Sequence, residues 1–149
     1  MRSKAPLILM EQMVMLLVFA LAAALCLQAF VLSDASSRRA EARDRAAAVA
    51  QTVAETIRHT GGDAGTALSG AAKDLGMDYE QGLLWADFDE DWNRTPSGEE
   101  GAYRVAAQGT DSGQTGLQTA RVEVSRSAAE AEEADVLLTF DVSWQGEAG

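Results

Sequence analysis

The sequence predicts an α+β protein: a long N-terminal transmembrane helix continues as a spine, packed on a small antiparallel sheet of about four strands. Three observations carry this. Met13 to Leu32 is apolar apart from Gln28. Apolar residues then recur at helical spacing as far as Ile57. Beyond Gly76 the hydrophobic period changes to two, the period of a strand with one buried face. The 149 residues have room for one small domain and an appendage. The chain divides into a short basic segment (1–12), a transmembrane helix (13–32), an amphipathic continuation (33–60) and an acidic α+β head (61–149).

The transmembrane helix comes first. Twenty residues at 1.5 Å each span about 30 Å, the thickness of a bilayer's hydrocarbon core. Leu, Met and Ala favour helix, and no Gly or Pro interrupts the run. Three other readings compete. The remaining chain is too small to enclose, as a core helix, one that is apolar on every face. A cleaved signal has a shorter apolar core, and Ser33-Asp34-Ala35 is only a passable small-residue site. A lipoprotein needs a small residue before its Cys, whereas Leu25 precedes Cys26. Orientation is open on charge alone: Arg2 and Lys4 precede the span, and Arg38, Arg39, Arg43 and Arg45 follow it.

Glu11 stands just before the apolar run. A carboxylate there loses hydration unless it reaches the interface or meets a cation. One reading is an interfacial Glu in the first helical turn, which the helix dipole favours and which Pro6 fits as a helix-start residue. The other is an ion pair with a positive group on another subunit.

A short basic leader, an apolar run with a glutamate near its start and a long amphipathic continuation together resemble the type IV pilins and type II secretion pseudopilins. On that resemblance Met1–Pro6 stands for the leader, and Pro6–Leu7 for the cleavage position. Leu7-Ile8-Leu9-Met10-Glu11 then stands for the apolar quartet followed by glutamate. The resemblance assigns Glu11 an assembly role, with the N-terminal amine of a neighbouring subunit as its partner. It also implies pilin-like partner subunits, reached through the N-terminal helix, and a head outside the cytoplasmic membrane. The leader departs from the family's pattern in one respect: Pro6 occupies the place of the usual Gly, and no Gly occurs before Gly61.

The spine follows. Ala46, Val49, Ala50, Val53, Ala54 and Ile57 fall at i, i+3, i+4, i+7, i+8 and i+11, one stripe of a helix. The mixed charges of Arg38 to Arg45 read as a solvated face with local ion pairs, or as a contact with anionic headgroups. Gly61-Gly62 stops the helix. Ala64 to Leu75 is a short helix ended by Gly76. Strands are expected at Gly82–Phe88, Ala102–Gln108, Leu117–Arg126 and a last one in which Val136, Leu138, Phe140, Val142 and Trp144 share a face. Their short polar connections favour antiparallel neighbours. The Ala46–Ile57 stripe is the expected cover for the sheet's apolar face.

Composition narrows function. There are 12 Lys+Arg against 23 Asp+Glu, a net charge of -11. A phosphate backbone demands a basic footprint, so nucleic acid is not expected as a partner, whereas membrane lipid is. One Cys and one His exclude an internal disulfide and a Cys/His zinc cage. No P-loop, nucleophile elbow or catalytic constellation is present, and no cofactor is implied. Asp87, Asp89 and Asp91 have the i, i+2, i+4 spacing that opens a calcium loop. Trp92 stands where that loop needs Gly, and Gly98 stands at the final ligand position, so the three remain weak metal candidates beside the reading of an acidic strand-end turn. Trp85 and Trp144 read as core, Trp92 as the more exposed ring, and His59 as a structural cation at a helix end.

Overall fold

The computed structural model describes residues 5–127 and 135–146. The chain forms two compact units, Met1–Glu41 and Ala42–Gly149. One helix, α1 (Ala5–Thr60), runs through both. In the first unit its large apolar side chains stand uncovered from Leu7 to Leu32. Past them, Arg38 Nε donates to Asp34 Oδ2 across one turn at 2.9 Å.

In the second unit α1 is amphipathic. Ala46, Ala50, Val53, Ala54 and Ile57 are buried, and Val49 packs half-buried beside them. The stripe expected from periodicity is therefore the helix's core face. That face is made of short and branched apolar side chains, three alanines among them. Gly61 and Gly62, both at positive φ, end α1. Asp63 then caps α2 (Ala64–Leu75), accepting from the Gly65 and Thr66 amides at 3.2 and 3.4 Å and from the Thr66 hydroxyl. The cap satisfies donors that a helix start leaves free. Gly76 in the left-handed region closes α2 while Met77 N donates back to Ala72 O at 2.7 Å.

The sheet is a five-stranded antiparallel meander in chain order, β1 (Asp78–Glu80), β2 (Leu83–Phe88), β3 (Tyr103–Thr110), β4 (Leu117–Arg126) and β5 (Asp135–Gln145). The sequence pattern predicts four of these. It passes over β1, a three-residue edge strand too short to show a period. Register aligns the apolar residues into rows across the core face. Leu84, Ala107, Val122 and Phe140 make one row, and Ala86, Val105, Val124 and Leu138 the next. These rows pack on α1 and α2, and the opposite face is polar. There Asp87 pairs with Arg104, and Asp141 with Arg121.

The last strand departs from the expected alternation. A β-bulge shifts the register between Val124 and Ser125, so that Ser125 faces Val136. Leu137 is the inserted residue and is 3% exposed, whereas Val136 is 45% exposed. Val136 therefore does not share the core face with Phe140, Val142 and Trp144; Leu137 takes its place. An extra residue in one strand reverses the side-chain parity beyond it.

Candidate functional site

The residues singled out by sequence fall in three places. Pro6 and Leu7 lie in the first turn of α1, where proline costs little because the first amides of a helix have no intrahelical acceptor. Glu11 lies one turn further on, flanked on the helix surface by Leu7, Ile8, Val14 and Met15. An ionised side chain among apolar neighbours is expensive in lipid unless it snorkels or is paired.

The second place is the turn after β2. Asp87, Asp89 and Asp91 are near in sequence but are not gathered round one point. Asp87 holds Arg104 through two parallel bonds of 2.7 and 2.9 Å, which keep the guanidinium firmly protonated. Asp89 organises the turn: its Oδ1 accepts from the amides of Asp91 and Asn93 at 2.9 and 2.8 Å, and its Oδ2 from Asn93 Nδ2 at 3.1 Å. The Asn93 backbone bond, then that residue's side chain, then the Asp91 amide hold the Asp89 carboxyl below the usual carboxylate range. Among the described residues no three His, Cys, Asp or Glu side chains are placed to hold a metal ion. The Asp87 carboxylate is engaged in an ion pair and the Asp89 carboxylate in an Asx-type turn.

That turn also holds Trp92. It adopts φ 62°, a left-handed conformation that non-glycine residues rarely adopt. Its ring is half-buried, stacked on Tyr103 with centroids 4.4 Å apart and tilted against Phe88 at 6.0 Å. The Arg126 guanidinium lies 5.8 Å from the Tyr103 centroid. The ring closes one end of the core. Trp85, expected in the core, lies half-buried on the polar side of β2, opposite to buried Leu84 and Ala86. Trp144 is buried as expected, its Nε1 donating to Gly62 O at 2.9 Å.

The third place was not marked by sequence. Along α1 and β5 run two adjoining depressions, one between Ala54, Arg58 and Phe140 to Ser143, the other between Glu55, Arg58, His59 and Trp144, Gln145. His59 is exposed in the last turn of α1. The signal lay in two facts that sequence cannot join: cations at the end of a helix, and a strand that tertiary structure leaves at a sheet edge.

No protein-family model, curated protein or solved structure matches this chain. One helix is long and apolar enough, by length and composition, to cross a membrane. It leads into an α+β unit in which the helix packs on an antiparallel sheet, the general layout of pilin-like proteins.

Proposed function

We propose that the protein is a single-pass, membrane-anchored, pilin-like subunit or accessory, of the minor-pilin or pseudopilin kind, in a type IV pilus or type II secretion-like assembly, with no enzymatic activity. The observation that carries this is the change of role along α1. Its side chains from Leu7 to Leu32 are uncovered and apolar apart from Glu11, Gln12 and Gln28, and from Ala46 to Ile57 its apolar stripe forms the buried face that holds the sheet. Uncovered apolar helix requires lipid or other helices around it. Glu11 is the one charged residue between Leu7 and Leu32. In this reading the amine of a neighbouring subunit neutralises it, and that pair sets the register between helices. Residues 60–149 carry 5 Lys+Arg and 18 Asp+Glu, a net of -13. That field opposes close packing of acidic heads, which supports association through the helices.

A second reading rests on Pro6. A plain single-span protein, whose acidic domain binds a partner with no filament role, has no use for a leader Gly at that place. In that case Glu11 is only an interfacial residue. Replacing Glu11→Ala separates the two. The assembly reading expects the variant to reach the membrane in normal amount but to lose co-purification with pilin-like subunits from native membranes. Unchanged co-purification would leave the plain anchor.

A further inference from the structure

Among the described residues β5 ends the sheet, with β4 on one side and no strand on the other. An antiparallel neighbour satisfies only the backbone groups that face it. On the outer side Arg43 Nε donates to Leu137 O at 3.1 Å, which closes the edge at the bulge. From Leu138 to Gln145 no outward backbone group has a partner among the described residues. That stretch, about 25 Å at roughly 3.3 Å per residue, is a template for another strand.

The two depressions lie along this same stretch. Phe140, Asp141, Val142 and Ser143 all line the first of them. Successive residues of a strand point to opposite faces, so four in a row can line a hollow only along the strand's edge. α1 forms the facing wall with Ala54, Glu55, Arg58 and His59. Asp141 is already held by Arg121 at 2.8 Å. Arg58 has no ion pair among the described residues, although it borders both depressions.

We propose that this edge binds an extended peptide segment of another protein, which adds to β5 as a further strand and places one carboxylate against Arg58. The backbone edge supplies affinity for any extended chain, and Arg58 selects the charge. Glu55 on the same wall, together with the net charge of -13 carried by residues 60–149, rejects a run of acidic residues. The same net charge disfavours a second copy of this chain as the occupant, because pairing two β5 edges would bring two such heads together.

The test uses the full chain in detergent micelles and a fluorescein-labelled probe, Thr-Val-Glu-Val-Thr-Val, with a Gln-for-Glu version as control. Fluorescence anisotropy should show saturable binding of both, with the Glu probe about fivefold tighter, the size of an exposed ion pair. Arg58→Gln should remove that preference and leave the Gln probe unchanged. N-methylation of alternate backbone nitrogens should abolish binding of both. Absence of saturable binding, equal binding of the methylated probes, or a preference that survives Arg58→Gln would each overturn the proposal. A dimer of the free chain that Ser143→Lys dissociates would put a second copy on the edge and overturn it too.

Discussion

Gly101 has no room for a side chain. A Cβ there would lie 2.5 Å from Phe88 O and 2.7 Å from Phe88 N, and backbone atoms cannot turn aside. Gly101→Ala should lower the stability of the fragment lacking Met1–Leu32 by about 1–3 kcal/mol, read from urea unfolding. Asp89 gives a pH prediction. Its carboxyl is held below its ordinary value in the folded state, mainly by the Asn93 amide. Its contribution is therefore complete above the unfolded value, near pH 4, and is lost as pH falls through the folded one. Asp63, bonded by Thr66, and Asp141, paired with Arg121, act in the same sense. The fragment should unfold at a constant urea concentration from pH 6 to pH 7 and at progressively lower ones below pH 4. Asp89→Ala should sit below wild type at pH 7, and the gap should narrow as pH falls below about 4. A gap that stays constant across this range would show that the carboxylate's charge is not what holds the turn. The acidic spacing of this turn was legible in the sequence; its use was not. The Asp87 side chain is spent on Arg104 and that of Asp89 on local amides, and Trp92 takes a conformation that non-glycine residues rarely adopt.

At the scale of elements, α2 and β4 follow the bounds that periodicity and glycine punctuation predict. Each is bounded by a local signal: Gly76 closes α2, and a polar, Gly-containing connection precedes β4. β5 is different. Five alternating apolar residues predict one face, yet the bulge transfers the buried position from Val136 to Leu137. A bulge is decided by what the strand must meet, here Val124 on one side and Arg43 on the other. Leu137→Ala should therefore cost about 2–5 kcal/mol, the range for a buried Leu truncation. Val136→Ala, on the exposed face, should change the urea midpoint little. Phe140 is half-buried, so its truncation should fall short of a full core deletion. If Val136→Ala proves the more damaging of the first pair, the bulge is misplaced and the strand keeps simple alternation.

For the whole molecule, the first unit buries none of its described side chains, and the second holds the entire core cluster. About 20 apolar residues gain far more in lipid than a helix lying on the surface could. Alkaline carbonate should leave the protein in the membrane pellet. Protease added to intact spheroplasts should digest the acidic unit, as its proposed extracytoplasmic location requires. Release by carbonate would remove the anchor, and protection until lysis would invert the topology.

The sequence by itself determined the apolar helix, the stripe from Ala46 to Ile57, the helix breaks at Gly61-Gly62 and Gly76, and four of five strands. These rest on composition and period, which act between residues close in the chain. Only the tertiary structure decided the short edge strand β1, the bulge at Leu137, the closing of one core end by Trp92, and the open edge of β5 beside Arg58. Each of these depends on residues brought together from distant parts of the chain: Arg43 with Leu137, Trp92 with Tyr103, Gly62 with Trp144. Local periodicity records which side chains must leave water, but a sheet edge and a register shift exist only once separate strands have met.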